Sequence, residues 1–363
     1  MTGPCAEDLD LPEAPIPVSV LTGFLGSGKT TVLNRLLAHP DTGETAVIVN
    51  EFGEIGLDHL LFESSGEDTV LLNSGCLCCT VRGDLIETMR RLFKRRARRE
   101  VPAFQRLAVE TTGLADPAPI LHTLMTDPLL VNWFRLDGVI ATVDAAAGAQ
   151  TLDAHQESVK QAAVADRLLL TKTDLAEEAA TERLRTRLRA LNPAARILTV
   201  QHGAVEPAAL FNAGLYDAET KSPDVRRWLR AEAYAEGHGH GHAQGHGHDV
   251  NRHDDRVRAF CLDYERPLDW DNFNAWIEML ITFYGADILR IKGLLDVEGQ
   301  DRPMVIHGVQ HIFHPPVLLE AWPDEDRRSR LVFITRGLDK AMFERTLKAF
   351  NEQGPGPLDP AAG

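Results

Sequence analysis

Residues 17–21, Pro-Val-Ser-Val-Leu, lead through Thr22 into Gly23-Phe24-Leu25-Gly26-Ser27-Gly28-Lys29-Thr30, and a helical pattern follows over residues 31–38. A strand, a glycine-rich loop closed by Lys-Thr and a helix form a complete phosphate-binding loop, which commits the chain to an α/β fold with a mostly parallel sheet. Glycines at 23, 26 and 28 let the backbone N–H groups turn inward, and the helix adds the positive end of its dipole. Ser27 and Thr31 belong to the same cradle. Lys29 is placed to bridge the β- and γ-phosphates, and the Thr30 hydroxyl to ligate Mg²⁺.

A kinase can use the same loop, so the segments that read the base and sense the γ-phosphate must decide between nucleotide enzymes. After the apolar run 168–170 comes Thr171-Lys172-Thr173-Asp174, at a strand end that faces the ligand crevice of such a sheet. The Asp174 carboxylate can accept hydrogen bonds from N1–H and the amino group of guanine, whereas adenine would leave it unpaired. Lys172 can lay its aliphatic stem along the base. The plain alternative for Asp174 is an N-cap for the helical run that starts near Ala176. Thr171 stands where GTPases usually carry Asn.

Glu110-Thr111-Thr112-Gly113 follows a strand at 107–109, so Glu110 can hold the Mg²⁺ shell and Gly113 can offer its N–H to the γ-phosphate. Asn50-Glu51-Phe52-Gly53-Glu54 follows a strand at 45–49, where a first switch belongs; its acids can reach Mg²⁺ or a second metal, or simply line a solvated loop. Between the two lies Asn73-Ser74-Gly75-Cys76-Leu77-Cys78-Cys79. In a regular strand Cys76 and Cys78 would share one face and Cys79 the other, but a turn after Gly75 can converge all three. Three thiolates suit Zn²⁺ or Cu(I), and a tetrahedral Zn²⁺ site needs a fourth ligand such as Glu54, water or a client group. The bland alternative is three small buried hydrophobes.

These segments together resemble the CobW-type metal-trafficking GTPases, relatives of the GTPases that assist nickel insertion into urease and hydrogenase. The likeness rests, in chain order, on the loop 23–30, on 50–54, on Gly75-Cys76-Leu77-Cys78-Cys79, on Glu110-Thr111-Thr112-Gly113-Leu114-Ala115-Asp116-Pro117 and on 171–174, and it spans nearly the whole chain. It implies slow Mg²⁺-dependent hydrolysis of GTP to GDP, Zn²⁺ or a similar ion (Co²⁺ or Ni²⁺) at the cysteines, a client metalloprotein and a CobW-type C-terminal domain over about 257–351.

The expected organisation is a flexible N-terminus (1–15), a P-loop GTPase domain (16–235), a His/Gly linker (236–254), a smaller α+β domain (255–352) and a disordered tail (353–363). Expected strands of the first domain are 17–21, 45–49, 69–72, 107–109, 138–143, 167–170 and 196–200. In the second, strands are expected at 257–262, 289–297, 304–313 and 330–334 and helices at 269–283 and 339–351. His238, His240, His242, His246 and His248 of the linker can chelate metal weakly at any spacing, or be inert. The basic run Lys94-Arg95-Arg96-Ala97-Arg98-Arg99 reads as a solvated helix terminus, and His307, His311 and His314 as structural histidines.

With 38 Lys+Arg against 53 Asp+Glu, a net charge of −15 repels nucleic acid and anionic membranes. No apolar run is long enough to span a bilayer, the first residues are acidic, and clustered thiols suit a reducing compartment, so the expected setting is cytoplasmic. Homo-oligomerisation is left open. The expected function is a GTP-hydrolysing metallochaperone or metal-dependent regulator. Its rivals are a metal buffer in which nucleotide is a structural ligand, and a P-loop small-molecule kinase.

Overall fold

The computed structural model describes residues 10–42, 44–49, 62–65, 69–72, 77–80, 85–211 and 257–353, the short segments at 62–65, 69–72 and 77–80 by their backbone alone. These residues divide into two compact units, one of 10–186 and 195–211 and one of 187–194 and 257–353.

In chain order the first unit contains β1 (Ile16–Gly23), α1 (Lys29–Leu37), β2 (Thr45–Val49), β3 (Phe62–Ser65), β4 (Thr69–Leu72), β5 (Leu77–Thr80), α2 (Leu85–Ala97) and β6 (Arg106–Glu110). It continues with α3 (Ala118–Thr126), α4 (Leu130–Trp133), β7 (Phe134–Asp144), α5 (Gly148–Ala154), α6 (Gln156–Val164) and β8 (Arg167–Thr171). Then come α7 (Glu178–Leu191), which starts in this unit, β9 (Arg196–Val200) and α8 (Pro207–Leu210).

The sheet order is β3-β4-β5-β2-β6-β1-β7-β8-β9, with every pairing from β5 through β9 parallel and those of β4 with β3 and β5 antiparallel. All five residues of β2 and of β8 are buried, the unbroken apolar pattern of strands covered on both faces. Helix α1 turns Val32, Leu33, Leu36 and Leu37 into one core with Leu21, Val47, Ile140 and Leu169. The chain leaves β1 toward β2 on one side, and β7 lies on the other. The loop after β1 therefore sits at a topological switch point, where open α/β sheets bind ligands.

Two differences from the expected strands matter. Strand β7 begins at Phe134, four residues before the expected start, and residues 77–80 form an additional strand, β5, antiparallel to β4, with Cys78 and Cys79 inside it and in register with Val47 and Ile48 of β2. Leu-Cys-Cys-Thr carries little local strand signal, so the non-local pairing with β2 decides its conformation.

The basic run closes α2, but Arg96 is buried instead of solvated. Its guanidinium donates to the Phe104 and Asp10 carbonyls, both at 2.9 Å, and lies 5.7 Å from the Phe104 ring centroid. Arg95 and Arg98 share Glu100 and Arg99 reaches Asp10, so part of this charge is answered within the chain. Asp10, inside the segment expected to be flexible, also donates its N–H to the Ala97 carbonyl at 2.8 Å.

The second unit is an antiparallel sheet of β10 (Val257–Tyr264), β11 (Ile288–Leu295), β12 (Met304–Val309), β13 (Ile312–Phe313), β14 (Val317–Leu318) and β15 (Ser329–Arg336), with helices α9 (Trp270–Tyr284) and α10 (Lys340–Gln353). Asp269 caps α9, accepting the Asn272 N–H at 2.8 Å. The apolar sides of both helices, among them Phe273, Trp276, Leu280, Phe343 and Leu347, share a core with Ile291, Ile306, Leu331 and Phe333.

The expected strand 304–313 is a hairpin. Gln310 has φ 52°, in the left-handed region, and the chain folds so that Val309 faces Ile312. The expected strand 289–297 ends at Leu295. His307 and His314 are built into this unit: the backbone N–H of His314 donates to the His307 carbonyl at 2.9 Å, and burial, helped by Arg290, holds the pKa of the His314 imidazole down to about 4. His311 packs its ring against Gly285. The expected N-terminal residues 1–9, linker 236–254 and residues 354–363 of the tail lie outside the described residues. Among the described residues no helix is long and apolar enough to cross a membrane.

Candidate functional site

The loop between β1 and α1 closes over three glycines with positive φ: Gly23 (141°), Gly26 (72°) and Gly28 (95°). At Gly23 a side chain is excluded twice, by φ and by space, since a Cβ would lie 2.2 Å from the Thr142 hydroxyl. Ser27 donates to the Phe24 carbonyl at 2.7 Å and accepts from Thr142 at 2.6 Å, and Lys29 donates to the carbonyls of Gly23 (3.0 Å) and Phe24 (3.3 Å). Gly28 caps α1 without a side-chain bond, so the first N–H groups of the helix face the loop. Left-handed glycines, a helix N-terminus and a tethered ammonium together are anion-binding chemistry.

Glu110 ends β6 in register with Leu21 of β1 and Val49 of β2, and it is 1% exposed. Thr30 donates to its carboxylate at 3.1 Å. Two hard oxygens at that separation suit neighbouring ligands of an octahedral Mg²⁺, which lie about 2.9 Å apart when each is ~2.05 Å from the ion. The next residue, Thr111, bonds the Thr22 hydroxyl at 2.9 Å. Gly113 is pressed onto the phosphate loop: a Cβ there would lie 2.8 Å from the Leu25 Cα.

On the other side of α1 a cavity of ≈ 170 Å³ is lined by Gly28, Thr31, Val32, Thr171, Lys172, Asp174, Leu175, Val200, His202 and Gly203. Thr171 is buried, and its hydroxyl donates to the Ser27 carbonyl at 2.7 Å. It thereby ties the loop after β8 to the phosphate loop, a link a short hydroxyl can make where a longer amide is usual. Lys172 has φ 53° and its ammonium lies 2.7 Å from Asp144 Oδ2. The backbone strain of a lysine in that region is offset by this fixed ion pair. Asp174 sits in a single 3₁₀ turn, Thr173–Leu175, ahead of α7; it is exposed and makes no hydrogen bond among the described residues, so its carboxylate is open to the cavity.

The structure thus brings Gly23, Gly26, Ser27, Gly28, Lys29, Thr30, Thr31, Glu110, Gly113, Lys172 and Asp174 to one edge of one sheet. Residues 50–54, including Glu54, Cys76 and all five linker histidines lie outside the described residues, as do the side chains of Cys78 and Cys79. Among the described residues no cluster of His, Cys, Asp or Glu is arranged to hold a metal ion.

Several residues of the site were not singled out from the sequence. Val200, His202 and Gly203 close the cavity after β9, and their signal was available: Gly203, at φ 76°, follows a strand end on the ligand edge. Asp144 gave no signal, because its pairing with Lys172 depends on β7 and β8 lying side by side.

Residues 17–199 match the family model described as CobW/HypB/UreG, nucleotide-binding domain, and residues 257–351 the model described as Cobalamin synthesis protein cobW C-terminal domain. The chain is 32% identical over 320 residues to the zinc chaperone YjiA of Escherichia coli, covering 88% of this chain and 94% of that protein. It is 31% identical over 368 residues to the zinc chaperone CobW of Pseudomonas aeruginosa, covering 92% and 91%. The solved structure of the zinc-bound YjiA GTPase from E. coli superposes with a TM-score of 0.72 at 29% identity, covering 92% of this chain and 98% of that one.

Proposed function

Because the chain belongs to the CobW/HypB/UreG family, we propose that it is a GTPase that carries zinc and couples its nucleotide state to transfer of the metal. One observation carries the nucleotide half: the phosphate loop, the Thr30–Glu110 pair and the cavity bearing Lys172 and Asp174 converge on one sheet edge. The phosphate loop and Lys29 hold the β- and γ-phosphates; Asp174 reads guanine, and Lys172 and Thr31 flank the nucleoside. Mg²⁺, held by Thr30 and Glu110, neutralises charge on the phosphates when bound. Gly113 offers its N–H to the γ-phosphate.

The metal half rests on the family and on the thiolate chemistry. Cys76, Cys78 and Cys79 hold the zinc with Glu54 as fourth ligand, and the five linker histidines add weak sites. Strand β5, which carries two of these cysteines, adjoins β2, and β2 adjoins the Glu110 strand. Cys78 and Cys79 are thus two strands away from Glu110. A client metalloprotein receives the metal, and the clustered thiols favour the reducing cytoplasm.

Protein purified without an affinity column should carry tight zinc at one equivalent and release phosphate from GTP. Replacing Cys78 and Cys79 together by serine should remove the tight zinc, measured by metal analysis after dialysis, while GDP affinity stays the same, since hydroxyls are poor substitutes for thiolates. Retention of tight zinc by that variant moves the metal site elsewhere in the chain.

A further inference from the structure

Helix α6 carries contacts to both nucleotide loops that no sequence motif marks. His155, at its N-cap, stacks on the Phe24 ring of the phosphate loop, with ring centroids 4.4 Å apart. Further along, Gln161 is 1% exposed and donates from Nε2 to the carbonyls of Gly113 (3.2 Å) and Ala115 (3.0 Å). The neighbouring Lys160 meets Asp116 Oδ2 at 2.7 Å, while the other oxygen of Asp116 accepts the Ala118 N–H at 3.0 Å and starts α3.

A carboxamide has two N–H donors, and here both serve the loop that follows Glu110. Its oxygen is buried with no hydrogen bond among the described residues. The two loop carbonyls therefore set the orientation of the amide, since a flip would oppose oxygen to oxygen and gain no donor. Gly113 is held from two directions, by Leu25 of the phosphate loop and through its own carbonyl by Gln161.

We propose that Gln161 is a positioning residue for GTP hydrolysis: by holding the Gly113 and Ala115 carbonyls it aims the Gly113 N–H at the γ-phosphate, with Lys160–Asp116 as a second fastening. This rests on the GTPase reading and on the role given there to Gly113. Because GDP lacks the γ-phosphate, a device of this kind acts on turnover and leaves the diphosphate alone. A residue that merely packs the loop would weaken every nucleotide state together.

The test uses the full chain, with Gln161→Leu and Asp116→Asn, the latter keeping the cap on Ala118 while losing the ion pair. Steady-state phosphate release gives kcat and KM, and a fluorescent GDP titration gives affinity. Gln161→Leu should lower kcat about tenfold or more with KM and GDP affinity within about twofold, and Asp116→Asn should lower kcat about threefold with the same split. The proposal is overturned if both variants keep kcat within about twofold of the parent, or if kcat and GDP affinity fall together. If Gln161→Leu does not fold, Asp116→Asn alone decides by the same criteria. A parent protein that releases no phosphate from GTP removes the GTPase reading itself; a parent that turns over beside unaffected variants removes only the positioning role.

Discussion

Lys29→Met should lower the rate of GTP hydrolysis at saturating nucleotide by about 10²–10³, the usual cost of removing one preorganised charge from a site that stabilises a transition state. Its ammonium is buried and tethered to the Gly23 and Phe24 carbonyls at 3.0 and 3.3 Å, so it waits at the phosphate loop and pays little reorganisation when the γ-phosphate arrives. Methionine keeps most of the length and apolar stem, so the loop retains its packing against β1. Single-turnover phosphate release, measured with GDP affinity and a thermal melt, separates lost chemistry from lost fold. A rate within about threefold of the parent would mean that this loop does not hold the reacting phosphate.

Asp174→Asn should weaken GTP by about 1.5–3 kcal/mol, roughly 10- to 150-fold, and should favour xanthosine triphosphate instead. The cause is donor matching: a carboxylate accepts from guanine N1–H and the amino group, whereas an amide can donate to the carbonyl that xanthine has in place of that amino group. Asp174 lines the cavity with an open carboxylate, and Lys172, fixed by Asp144, lines it too. Titrating both nucleotides into both proteins reads the exchange directly. Equal loss for both, or no loss of GTP, would place the base elsewhere.

The phosphate loop and the strands that carry it were legible because their information is local: three glycines, a Lys-Thr pair and apolar runs at 45–49 and 167–170 each imply their own conformation. The places of Glu110 and Asp174 were legible one step further, since both lie where apolar runs end, on the edge of a parallel sheet that faces ligands. Residues that depend on which strands become neighbours were not. Asp144 reaches Lys172 only because Asp144 and Thr171 are in register across β7 and β8, and Gln161 reaches Gly113 only through the placement of α6.

Local signals also misled where turns lacked their usual residues. Gln310 takes a left-handed conformation that glycine or asparagine more often signals, so the β12–β13 hairpin read as one strand. The cysteine segment stayed open between a regular strand and a turn after Gly75 because Cys and Thr between glycine and arginine show no clear period; pairing with β2 makes residues 77–80 a strand.

The central claim is coupling between nucleotide and metal, and zinc titrations into the protein held with a non-hydrolysable GTP analogue and with GDP test it most directly. The chain order places the cysteines between residues 50–54 and Glu110-Thr111-Thr112-Gly113, and the sheet places β5 next to β2 and β2 next to the Glu110 strand. Ordering of those segments by a γ-phosphate must then change the thiolate site. The two affinities should differ by a coupling energy of about 1–3 kcal/mol, roughly 5- to 150-fold, and bound zinc should shift the ratio of GTP-analogue to GDP affinity by the same factor. Equal zinc affinities in the two states, with the cysteines shown to be the occupied site, would contradict the account and leave a GTPase that carries a metal without acting on it.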